Sequence, residues 1–211
     1  MSARAPSPEA IAWRRETASL GMWIFLATEV MFFGVLFLAY FHWRVHDPDG
    51  WAAASRLTHE WLGTLNTALL LTSSLTMALA VRAGWLGRRR AVPPLLWTTA
   101  ALGLAFIGVK AVEYTLEWRD GLVPALHFTY SGENARAVQE FFYLYFAMTG
   151  VHALHLAIGV GLVAWAAVRL REPPTELSRR DTVECLGLYW HFVDAIWIVL
   201  YPLIYLVGLA R

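Results

Sequence analysis

The chain is short of charge, cysteine and lysine, and each shortage excludes something. Only 16% of its 211 residues are charged, where a soluble domain carries about a quarter. The single cysteine, Cys185, rules out an internal disulfide and any multi-cysteine metal centre. No C-x-x-C-H run is present, which excludes covalent attachment of a c-type haem. Lys110 is the one lysine beside 16 arginines, a usage that accords with a GC-rich bacterial genome. Net charge is +1, so no nucleic-acid partner is expected. Phosphate-cradling glycine loops, nucleophile elbows and H-E-x-x-H segments are all missing, as are internal repeats and low-complexity stretches. Residues 1–16 are polar and lack the apolar segment and cleavage motif of a secretory signal.

What the chain has is long uncharged runs. Residues 17–43 hold one formal charge, Glu29; residues 61–81, 91–109 and 141–168 hold none; residues 185–210 hold only Asp194. About 20 apolar residues cross a hydrocarbon core of about 30 Å, so five runs of this kind predict an all-α membrane protein, a five-transmembrane-helix bundle. The expected spans are 17–43, 61–83, 93–118, 140–169 and 183–209, forming one domain after a cytoplasmic segment 1–16. Pro93-Pro94 opens the third span, where a missing N–H is no loss. Pro173-Pro174 breaks the chain after the fourth, and Ser178 to Thr182 offer capping residues before the fifth. The longest loop, 119–139, is either a partner-facing element or plain surface. Lysine and arginine in the loops set orientation: eleven arginines fall at one end and five at the other. That places the N-terminus in the cytoplasm and the C-terminus outside. Trp13, Trp43, Trp61, Trp85, Trp97, Trp118 and Trp165 fall near span ends, as interfacial anchors do.

Polar residues within the spans are the informative ones, because an acid at mid-span costs about 2.5–3.5 kcal/mol unless it faces a partner or water. Glu29 lies in the middle of span one with no basic neighbour in sequence. It reads either as a protonatable site or subunit contact, or as a protonated, hydrogen-bonded structural acid. Lys110 and Glu113 share a helical face and can neutralise each other near the outer interface. His152 and His155 share a face of span four, and Glu184, His191 and Asp194 form one stripe on span five. Two histidines on a face with His191 as a third raise metal ligation, but histidines also bridge helices by ordinary hydrogen bonds. Helix-to-helix glue is the simpler reading of the stripe. Gly103, Gly108, Gly150, Gly159 and Gly161 allow close helix approach.

Five stretches resemble the subunit III family of the haem-copper oxidases. V-E-C-L-G-L-Y-W-H-F-V-D-A-I-W at 183–197 is similar to the family's acid followed by Y/F-W-H-F-[VL]-D-x-x-W, and F-F-Y-L-Y-F-A-M-T-G-V-H-A-L-H at 141–155 to its F-F-x-x-T-G-x-H-G-L-H. L-A-T-E-V-M-F-F, L-N-T-A-L-L-L-T-S-S and K-A-V-E-Y match its remaining segments in order. Longer members have seven spans, and this chain resembles the five-span bacterial form. In the seven-span form lipids lie in a cleft made with the first two helices, so those lipid sites are not implied here. The resemblance implies a bacterial inner-membrane accessory subunit of a proton-pumping cytochrome c oxidase-type complex. It would have no redox centre of its own, with haem and copper on partner subunits I and II. Membrane lipids, including bound phospholipid, stay among its expected company. The implied role is to sustain proton uptake and protect the oxygen-reducing site. Glu29, Glu184, His191 and Asp194 fall on the family's motif acids and histidine, Trp197 on its tryptophan, and His152 and His155 on the span-four histidines. A same-family accessory protein of a nitric oxide reductase would carry the same motifs. A stand-alone transporter or proton channel would favour inverted repeats and helices broken at mid-membrane. Here the prolines fall at loops or span ends, Pro202 excepted, and five spans do not halve.

Overall fold

A computed structural model describes residues 7–132, 134–170 and 176–209. Five of its helices are long and apolar enough to cross a membrane. They are α1 (Pro8–His46), α3 (Glu60–Trp85), α4 (Val92–Arg119), α5 (Ala135–Arg169) and α6 (Glu176–Tyr201). The short α2 (Pro48–Ser55) sits between the first two spans. At 39 and 35 residues, α1 and α5 are about 58 and 52 Å long at 1.5 Å per residue. Both therefore project beyond the hydrocarbon core. Spans alternate in direction, so the ends of α3 and α5 share one face of the bundle with the start of α6. That is the arginine-rich end.

Pro93 and Pro94 stand in the first turn of α4 as expected. Span five differs: α6 begins at Glu176, so Asp181 and Thr182 lie inside the helix instead of capping it. The Pro173-Pro174 break lies outside the described residues. Helix α2 had no periodic signal of its own. Its start is set by Asp47, whose carboxylate accepts from the Gly50 N–H at 2.9 Å, followed by Pro48. Trp51 then locks it down, fully buried against Tyr40 and Phe141 with ring centroids 4.8 and 5.3 Å away. The loop 119–139 contains a two-stranded antiparallel hairpin, Leu122–Val123 with His127–Phe128. It leaves α4 through Gly121 at φ +68°, a conformation glycine takes without strain.

Helix α5 packs against α1, α4 and α6, and helix α6 against α1, α3 and α5. Trp190 of α6 is buried in a slot between α4 and α5. A β-carbon on Gly103 would lie 2.8 Å from the Trp190 ring, and one on Gly159 3.4 Å from it. These two glycines fill the role expected of small residues, whereas Gly108 and Gly161 face open space. Past Tyr201 the helix widens into a π turn, Pro202–Leu206, where proline has no N–H to donate. Side chains from α1 and α2 take the nearby carbonyls. Tyr40 donates to Leu203 O, and Ser55 Oγ donates to Ile204 O at 2.7 Å. All seven tryptophans expected at span ends are exposed, while Trp51, Trp190 and Trp197 are buried.

Candidate functional site: buried polar clusters between the spans

Lys110 and Glu113 meet as their spacing foretold, with Nζ 3.0 Å from Oε2. Both are buried within the bundle. Lys110 Nζ also donates to Tyr145 OH and Tyr205 OH, each at 2.8 Å, which uses all three ammonium hydrogens. The same two hydroxyls donate to Glu113 Oε1, at 2.9 and 2.6 Å. The result is a closed ring of charge-assisted hydrogen bonds joining α4, α5 and the π turn. Beside it Tyr114 OH and Thr149 Oγ1 are 2.6 Å apart. Glu117, one turn further along α4, is fully buried beneath this ring, with no hydrogen-bond partner for either oxygen. Its spacing of four from Glu113 continues the same helical face, so the sequence did hold a signal for it. Tyr145 and Tyr205 left none, being 35 and 95 residues from Lys110.

Glu29 finds a basic neighbour from another span. Its Oε2 lies 3.1 Å from His155 Nε2, across the α1–α5 boundary. His155 Nδ1 lies 2.9 Å from Val151 O, and a carbonyl only accepts, so Nδ1 carries a proton. The short contact at Nε2 then needs one further proton, on the imidazole or on the carboxyl. In both forms the pair is neutral overall and shares that proton. The pair is 15% exposed on the histidine and 18% on the acid. Tyr189 OH fixes the histidine's turn by donating to His155 O at 2.8 Å.

The third set is a ladder along the α3–α6 seam. Ser74 Oγ lies 2.9 Å from His191 Nδ1, and Trp190 Nε1 donates to Ser73 Oγ at 3.1 Å. Trp197 Nε1 donates to Thr67 Oγ1 at 3.0 Å, and Thr64 Oγ1 lies 2.8 Å from Tyr201 OH. His191 and Trp197 thus act between helices. Asp194 is buried beside the same Ser74 across the seam, without a fully formed hydrogen bond at either oxygen. Glu184 lies about two turns away, at the arginine-rich end, while His191 and Asp194 both approach Ser74, so the stripe divides into two environments.

The histidines do not converge. His152 is enclosed by Phe106 and Trp197, with ring centroids at 5.6 and 5.2 Å, while His155 faces Glu29 and His191 faces Ser74. Among the described residues no three His, Cys, Asp or Glu side chains are grouped to hold a metal ion.

Taken together, these features define a multi-pass membrane protein whose buried charged and hydroxyl groups join its helices. The chain belongs to the cytochrome c oxidase subunit III family, whose model matches residues 13–209. One relative is "Cytochrome c oxidase subunit 3" of Alkalihalophilus pseudofirmus, 29% identical over 95% of this chain and 92% of that one. "Quinol oxidase subunit 3" of Bacillus subtilis is also 29% identical, over 90% and 87%. "Heme-copper oxidase subunit I+III" of Aeropyrum pernix is 31% identical over 88% of this chain, but over only 22% of its own greater length.

Proposed function

We propose that this chain is the accessory subunit III of a bacterial proton-pumping haem-copper oxidase, seated against subunit I and near subunit II. It lies in the inner membrane with its N-terminus in the cytoplasm. Electron transfer and oxygen reduction belong to haem and copper on the partner subunits. This chain steadies subunit I and supports proton uptake.

The observation that carries the reading is the relative named subunit I+III, in which the counterpart of this chain is a minor part of one polypeptide. Fusion of two chains is tolerated where they already lie side by side. The interior agrees, because several buried polar side chains bridge helices while His152, His155 and His191 face different partners. No redox step is assigned to this chain's residues. Glu29 with His155 is the proton-linked candidate, since it holds a shared proton at a partly open boundary between helices.

The test is to purify the tagged chain from its native membrane in mild detergent, record an optical spectrum and identify its companions. Haem-containing subunit I with subunit II, and oxygen consumption, are expected. Companions from a nitric-oxide-reducing complex, or a haem-free preparation from membranes that retain oxidase activity, would overturn the reading. Relatives of equal identity are named for cytochrome c and for quinol, so the donor is read from the companions.

A further inference from the structure

At the end of the bundle opposite the arginine-rich one, a cavity of about 320 Å³ lies between the last turn of α1 and the first turns of α5. His42, Trp43, His46 and Asp47 line one side of it, and Arg136, Ala137 and Glu140 the other. His42 and His46 are four residues apart, which puts both rings on one helical face, and both are exposed. Their ring centroids are 4.6 Å apart, with the planes tilted by 51°. The exposed Trp43 between them marks the level of the membrane interface, where water reaches the rings. His46 Nδ1 lies 2.7 Å from His42 O. A carbonyl only accepts, so Nδ1 carries a proton, and in the neutral ring the lone pair is left on Nε2.

We infer that His42 and His46 form a two-histidine clip for one zinc ion. An i, i+4 pair is the spacing by which a helix offers two imidazoles to zinc. At a Zn–N bond of about 2.05 Å and a tetrahedral angle, two rings on one ion have centroids about 5 Å apart. The observed spacing is within about half an ångström of that. The bond from His46 Nδ1–H to a backbone carbonyl is the support a zinc-bound imidazole takes from its surroundings, because it fixes the tautomer and the turn of the ring. Two further features favour a cation here. The pair ends α1, where unsatisfied carbonyls leave partial negative charge, and the carboxylates of Asp47 and Glu140 line the same cavity. Arg136 offsets one of them, bonding Glu140 at 2.9 Å, but its side chain is 90% exposed and can turn to solvent. Among the described residues no third His, Cys, Asp or Glu is grouped with the pair. Water therefore completes the shell, as at an exchangeable site and unlike a closed structural one. The bound ion ties two successive turns and stiffens the end of α1 beside α5. The clip rests on local helix geometry and stands whichever complex the chain serves.

The complex is purified from its native membrane, washed with EDTA and desalted. Samples with and without zinc chloride are treated with diethyl pyrocarbonate, which acylates imidazole nitrogens, and modification is read histidine by histidine by mass spectrometry. Zinc is expected to protect His42 and His46 together. It should leave His127, exposed on the hairpin at the same end, as reactive as before. In parallel, zinc uptake is titrated against a chromophoric chelator in wild type, His42→Ala, His46→Ala and a control, His127→Ala. Each clip variant is expected to take up one zinc fewer per complex than wild type, and the control as many as wild type. Equal modification with and without zinc, protection of one ring alone, rings that stay unreactive in the zinc-free complex, or unchanged uptake in both clip variants would each overturn the clip.

Discussion

The two acid–base pairs of this bundle are built from similar parts and placed very differently. Lys110 and Glu113 come from one helix, are closed over by two tyrosines, and have every donor and acceptor engaged within the protein. Glu29 and His155 come from two helices, share one proton, and stay partly exposed at the bundle's margin. Over its most apolar stretch α4, which carries the first pair, is 33% buried, against 17% for α1, which carries Glu29. A sealed pair cannot exchange protons without opening the core, and breaking it leaves a bare charge where the dielectric is low. A marginal pair can exchange, and its loss disturbs little packing. Stability therefore belongs to the first pair, and the second is the one proposed above as proton-linked.

The comparison breaks first at Glu113. Glu113→Ala strands Lys110 and is expected to cost about 3–5 kcal/mol, visible as loss of folded protein in size-exclusion chromatography of the solubilised complex. Replacing both partners, Lys110→Met with Glu113→Leu, should recover most of that yield, because an apolar pair of similar volume avoids the buried charge. A double variant as unstable as the single one would show that the tyrosines need the ions. Tyr205→Phe comes next. It removes one hydrogen bond to each ion and is expected to cost about 1.5–3 kcal/mol, read as a lowered midpoint in thermal denaturation with assembly retained. Glu29→Gln should shift that midpoint by less than about 1 kcal/mol, since the amide still bonds His155. It should instead slow proton uptake or shorten the turnover lifetime of the complex. Wild-type uptake and lifetime in the assembled variant would place Glu29 with the structural residues.

Asp194→Asn should have the smallest effect. The motif on span five invites the reading that Asp194 ties helices together, and on that reading its loss would weaken the bundle. Because Asp194 approaches Ser74 without forming a complete hydrogen bond, the neutral amide is expected to change stability by about 0.5 kcal/mol or less. A large loss of folded protein would return Asp194 to the network.

Much of this was legible before any coordinates. Five uncharged runs imply five spans because bilayer thickness sets a length requirement that a local stretch of chain meets or fails by itself. The exposed tryptophans and the Lys110–Glu113 contact were legible for the same reason: depth and i,i+3 spacing are properties of one helix. Glu117 lies on that same face, four residues beyond Glu113. Glu29 with His155, the clamp by Tyr145 and Tyr205, and the Trp190 slot between Gly103 and Gly159 were not legible, because each needs the rotation and height of one helix against another. Helix α2 belongs with them, since it is held by Trp51 in a pocket of distant aromatics. By itself the sequence determined how many times the chain crosses the membrane and which residues are costly inside it. Only the tertiary structure decided which of those residues meet, because side-chain packing between helices fixes their rotation and register, and that information is spread over residues far apart in the chain.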